Sequence, residues 1–132
     1  MLQLIYISTA TPAMREPELT RILSASRRNN ARDGISGLLF FNGRRFLQAL
    51  EGPAAVVETA IARIKADDRH AAVVTLSRRE VDTREFGEWA MASLGAGEAA
   101  GQAAIDRVDA LTIDASPNVR AQFTSFARLQ SA

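Results

Sequence analysis

The sequence predicts an α+β fold: a ferredoxin-like βαββαββ mixed sheet with two helices on one face, followed by C-terminal helices. Three observations predict it. Short runs rich in Ile, Leu, Phe and Val alternate in polarity. Two longer stretches between them repeat apolar residues at helical spacing. The dipeptide Asn42-Gly43 separates two of the short runs as a hairpin turn does. With 132 residues and 47% hydrophobic composition, the chain suits one domain with its own core. We expect that domain over residues 1–96, with a helical extension over 97–132.

Taken in order, Leu2 to Ser8 alternates and predicts a strand with Leu2, Leu4, Tyr6 and Ser8 on one face. Pro17 suits a first helical turn. Leu19, Ile22, Leu23 and Ser26 continue at helical spacing to about Arg28, and the polar stretch Asn29-Asn30-Ala31-Arg32-Asp33-Gly34 is read as ending that helix. Ile35–Phe41 and Arg45–Glu51 are the hairpin strands. Gly52-Pro53 opens a second helix whose apolar stripe is Val56, Val57, Ala60, Ile61 and Ile64. Asp67-Asp68-Arg69-His70 leads out of it to a short strand, Val73 to Leu76. A last strand falls within Phe86 to Leu94, with Trp89, Met91 and Ser93 on one face. Beyond Gly95, Ile105, Val108 and Leu111 predict a short helix. Ser116-Pro117 caps a final one striped by Val119, Phe123, Phe126 and Ala127. This apolar tail is expected to cover the open sheet face or a partner chain, which favours a homo-oligomer, dimer or larger.

Composition excludes several chemistries. There is no cysteine, so disulfides, thiol nucleophiles and thiol adducts are excluded, and a single His70 argues against a metal site. A net charge of +1 argues against nucleic acid as a partner. No apolar run is long enough to span a bilayer, and the N-terminus carries no signal-peptide pattern, so a cytoplasmic location is expected.

Several polar groups stand out. Gln48 shares a strand face with Phe46 and Leu50, where a core residue is expected. A buried amide left unpaired costs about 1–3 kcal/mol per group. If the first and third strands are neighbours, Tyr6 and Gln48 come side by side. The pair is then a satisfied core contact that fixes register, or part of a site. Asn29 and Asn30 are a helix C-cap and turn, or amides reaching a planar ligand. Ile22 and Ile64 are core residues, or the walls of a slot for a flat ring. Arg27, Arg28, Arg32, Arg63, Lys65, Arg69 and His70 form a solvated rim, or a phosphate-binding one.

The pieces LIYIS at 4–8, SRRNNARDGISGLLFF at 26–41, FLQALEG at 46–52, DDRH at 67–70 and FGEWAM at 86–91 together resemble the BLUF family of blue-light sensors using FAD. The resemblance implies a non-enzymatic photoreceptor that holds FAD non-covalently, with FMN or riboflavin as substitutes. It implies that Ser26, Asn29, Asn30, Ile22, Ile64, Gln48, Arg63, Arg69 and His70 line the flavin site. Tyr6, Gln48, Trp89 and Met91 are then the photoactive residues. Tyr6 would pass an electron and then a proton to a light-excited flavin. Recombination would leave the Gln48 amide rearranged, by rotation or tautomerisation, with a new hydrogen bond to the flavin C4 carbonyl and a small red shift that darkness reverses. The signal would pass to a separate effector protein. Two other readings are a small acylphosphatase-type hydrolase using Arg15 with Asn29 or Asn30, and a regulatory or dimerisation module without photoactivity.

Overall fold

The computed structural model of the chain describes residues 1–41, 43–86, 92–94, 106 and 108–131, apart from the side chains of residues 16, 19, 92–94 and 127–131. The elements are β1 (Leu2–Ala10), α1 (Glu16–Asp33), β2 (Ser36–Phe41), β3 (Arg45–Gly52), α2 (Ala54–Ala66), β4 (His70–Glu80), β5 (Ala92–Leu94) and, after a short helical stretch at 108–111, α3 (Pro117–Ser131). The sheet order is β4-β1-β3-β2-β5, antiparallel except for the parallel β2–β5 pair. The βαββαββ order and mixed sheet are those the sequence predicts. The β3 strand lies at the centre and is buried from Phe46 to Gly52.

Strand alternation divides the interior into two cores. Leu2, Leu4 and Tyr6 of β1, with Phe46 and Leu50 of β3, face α1 and α2, and pack with Ile22, Val57, Ala60 and Ile61. The other face carries Ile5, Leu38, Phe40, Leu47 and Ala49, and is covered by Val108, Val119, Phe123 and Phe126. Phe40 meets Phe126 edge-on at 4.9 Å between ring centroids. The tail stripe therefore covers the chain's own sheet, which removes the argument that drew a second copy onto it.

Three boundaries differ from the sequence reading. The helix α1 does not stop near Arg28 but runs through Asn29 and Asn30 to Asp33. Gly34, at φ 71°, ends it in a left-handed conformation with its N–H on the Asn30 carbonyl. The asparagines are thus helical residues and neither is the cap. The strand β4 spans eleven residues rather than four. It is an edge strand whose last residues, 77–80, are polar and show no apolar alternation, and two register shifts against β1 break the pattern further. Trp89 and Met91 lie outside the described residues. So does Ile105, and the facing of Ser93 and Ala127 is not described.

Phe123 is fully buried, so Phe123→Ala should destabilise the fold by about 3–5 kcal/mol. Exposed Ile113→Ala should stay within about 0.5 kcal/mol. Urea titration of both variants reads the difference.

Candidate functional site

A cavity of about 380 Å³ opens between α1, α2 and the sheet. That is within the usual range for small-molecule sites. Ile22, Ser26, Asn29 and Asn30 reach it from α1, spaced so that they share one side of that helix. Ala60, Arg63 and Ile64 reach it from α2, Leu39, Gln48 and Leu50 from the sheet floor, and Asp67, Arg69 and His70 from the turn into β4. Every residue the sequence marked for cofactor contact therefore lines one cavity. Its walls are apolar at Ile22 and Ile64, and amides stand at Asn30 and Gln48.

Tyr6 lies behind this lining, fully buried, directly opposite Gln48 in the β1–β3 register. Its hydroxyl donates to Gln48 Oε1. That orientation leaves the amide's N–H donors for other partners. Burial pushes the phenol pKa well above its usual value, and the nearby Asp67 carboxylate adds to the shift. The hydroxyl is accordingly a neutral donor at any ordinary pH.

The Asp67–His70 turn supplies the charged rim. Asp67 grips the Arg69 guanidinium through Nε (2.9 Å) and Nη2 (2.6 Å) and accepts the Arg69 backbone N–H at 2.9 Å. Glu18 of α1 meets the same guanidinium at 2.9 Å. These bonds hold the Asp67 carboxyl below its usual range and raise Arg69 above its own. Arg69 lines the cavity with its charge already balanced. Arg63 is freer, its described ion pair being a 3.6 Å contact with Asp33. His70 Nδ1 lies 2.9 Å from Ser8 Oγ, and its ring sits edge-on to Tyr6.

Sequence reasoning missed Asp67 and Ser8 as parts of this site. The acid two residues before Arg69, and Ser8 two residues after Tyr6 on the same strand face, are the signals that could have found them. Among the described residues, no cluster could hold a metal ion and no helix is long and apolar enough to cross a membrane.

Comparison with known proteins gives consistent results. The family model described as "Sensors of blue-light using FAD" (BLUF) matches residues 1–92. The photoactivated adenylate cyclase subunit beta of Euglena longa is 35% identical over 91 residues, covering 68% of this chain and 11% of that protein. The blue light- and temperature-regulated antirepressor BluF of Escherichia coli K12 is 33% identical over 88 residues, covering 67% of this chain and 22% of that protein. The chain thus spans a small part of the length of these relatives. The dark-state structure of BlrB, a BLUF protein, superposes with a TM-score of 0.76 at 27% identity, over 97% of this chain and 96% of that one.

Burial lowers the His70 pKa below its usual 6.5, as does Arg69, against an opposing pull from Asp67. The unfolded state then binds the proton first as pH falls. Stability that is full above about 6.5 should decline through the window between 6.5 and the lowered folded-state value. His70→Gln should flatten that decline, read by denaturant titrations at about pH 7.5 and pH 5.5. The Asp67 contribution is lost only further down, as pH falls below 3.8 and through its lowered pKa.

Proposed function

Because the chain belongs to the BLUF family of blue-light sensors using FAD, we propose that the Tyr6–Gln48 pair is its photoactive element and that the cavity between α1 and α2 holds the flavin ring. The observation that carries this reading is the buried Tyr6 hydroxyl donating to a glutamine that itself lines the cavity. Flat apolar walls at Ile22 and Ile64 suit an aromatic ring. The Asn30 and Gln48 amides suit its carbonyl and N–H edge, with Asn29 and Ser26 beside them. Arg63 at the mouth suits a phosphate that remains outside, and Arg69 and His70 brace the opening. These residues fit FAD, with FMN or riboflavin as smaller occupants of the same slot.

Bound FAD supplies a chromophore that absorbs blue light and takes an electron when excited. The chain's own residues supply the rest. Tyr6 is the buried phenol nearest the cavity and the chain has no second tyrosine. Loss of an electron makes a phenol strongly acidic, and its proton has an acceptor in place at Gln48 Oε1. An amide has chemically different ends, so turning it over, or tautomerising it, exchanges which partners it satisfies. Turning the amide over would give the pair a second hydrogen-bonded arrangement, as a reversible switch requires. Trp89 and Met91, which follow the described 81–86 segment, remain part of the proposed photoactive set by resemblance.

The family's domain is a sensor rather than an enzyme. The cyclase named for the Euglena relative is not carried over, because the match covers only 11% of that protein. We take residues 1–96 as the sensor and 97–132 as the output element. The signal then passes to a separate effector protein or through a change in homo-oligomeric state, in the cytoplasm. Light scattering in dark and light distinguishes the two carriers.

The purified protein should be yellow, and blue light should move its flavin band slightly to longer wavelength and reverse in darkness. Tyr6→Phe and Gln48→Leu should each keep the flavin and lose the shift. A colourless preparation that hydrolyses acyl phosphates would instead favour the hydrolase reading, and a normal shift in Gln48→Leu would remove that residue from the switch.

A further inference from the structure

We propose that Glu51 couples the Gln48 strand to the C-terminal helix, acting as a positioning residue for output on the sheet face opposite the cavity. The proposal deepens the photoreceptor reading and rests on it. Glu51 lies three residues after Gln48 on β3, so its side chain leaves the opposite face of the sheet. It is fully buried. A buried carboxylate persists only when its lone pairs are met. Here Oε1 accepts from Ser36 Oγ (3.0 Å) and the Phe86 N–H (2.8 Å), and Oε2 accepts from the Glu85 N–H (3.0 Å) and Gln3 Nε2 (3.3 Å). One side chain on the central strand therefore holds two successive backbone amides of the segment that follows β4.

From that segment the connection reaches α3 by two routes. The Glu85 carboxylate accepts the Ser116 N–H at 2.7 Å, just before α3 begins, and pairs with Arg79, which also donates to Ser116 Oγ at 3.3 Å. Gln3 Nε2 meets the same carboxylate at 2.5 Å. The Phe86 ring lies edge-on to Phe123 of α3, centroids 6.1 Å apart. A third tie runs back toward the cavity. Arg84 donates to the Gly34 carbonyl at 2.6 Å and to Ser36 Oγ at 2.8 Å, at the end of the helix that carries Asn29 and Asn30. Residues 84–86 are thus fastened to β3 and to the end of α1 on one side and to α3 on the other.

Such a network would carry a displacement because its bonds join buried and part-buried groups in sequence from β3 to α3. A shift of β3 when the Gln48 amide turns would carry the Glu51 carboxylate with it. The Glu85 and Phe86 amides would then follow or be left unpaired in a dry interior. Following moves the Phe86 ring against Phe123 and the Glu85 carboxylate against the start of α3. Deleting the tail would not isolate this effect, because α3 completes the second core.

The test uses the full chain loaded with FAD. Flavin absorption and hydrogen exchange at the 117–126 amides are followed in darkness and under blue light. The wild type should show the red shift together with a light-dependent change in α3 protection. Glu51→Gln, close in volume but presenting N–H groups where two backbone amides donate, should keep the shift and lose the α3 change. Glu85→Ala leaves the Glu51–amide bonds and the Phe86–Phe123 contact in place, so it should keep the shift and weaken the α3 change; if Glu51→Gln does not fold, an undiminished α3 change in Glu85→Ala overturns the proposal. A wild-type α3 response in folded Glu51→Gln overturns the proposal, as does a red-shifting wild type without any α3 response. Absence of any red shift in the wild type overturns the photoreceptor reading beneath it, which separates the two failures.

Discussion

The buried hydrogen bond between Tyr6 and Gln48 is the constraint around which the structure is arranged. It joins the central strand β3 to its neighbour β1 at directly opposed positions. A phenol and an amide placed there without each other would each carry a desolvation penalty of about 1–3 kcal/mol. Together they are satisfied, but the glutamine also borders a cavity that the surrounding apolar side chains could have closed. A pair needed only for register would have no reason to face such a space. The fold thus holds an amide on its central strand with a hydrogen-bond donor behind it and an opening in front.

The sheet turns this local arrangement into a device with two sides. Its even-numbered β1 and β3 positions look toward α1, α2 and the cavity. The odd-numbered positions in β1 and β3 look toward α3. A central strand cannot move one face without the other, because both sets of side chains share one backbone. Polar groups sit on each side in the same two strands: Tyr6 and Gln48 toward the cavity, Gln3 and Glu51 toward the tail. Each set is hydrogen-bonded and nearly or fully buried. In a well-packed interior such groups have discrete arrangements rather than a continuum.

Much of this was legible in the sequence, for identifiable reasons. Strand alternation placed Tyr6 and Gln48 on one face, and the topology made them neighbours. The helical stripes placed Ile22 and Ile64 on facing walls. Where the reading failed, local polarity misled it. The polar stretch Asn29 to Gly34 looked like the end of a helix, yet the backbone stays helical through Asp33 until Gly34 supplies the left-handed residue a helix stop favours. In β4 the polar residues 77–80 belong to an exposed edge held by backbone pairing, which leaves no mark in the side-chain pattern. Glu51 read as the charged end of a strand. Its burial depends on donors from residues 3, 36, 85 and 86, a convergence that only the tertiary fold creates.

The central claim is that the Tyr6 phenol changes its hydrogen bonding when the flavin is excited. The chain contains one tyrosine, so a ring-labelled tyrosine reports on this residue alone. Light-minus-dark infrared difference spectra of FAD-loaded protein, with and without the label, test the claim directly. Phenol bands that move with the label, and vanish from the difference spectrum in Tyr6→Phe, are the predicted result. A red-shifted flavin band accompanied by a difference spectrum indifferent to the label would contradict it.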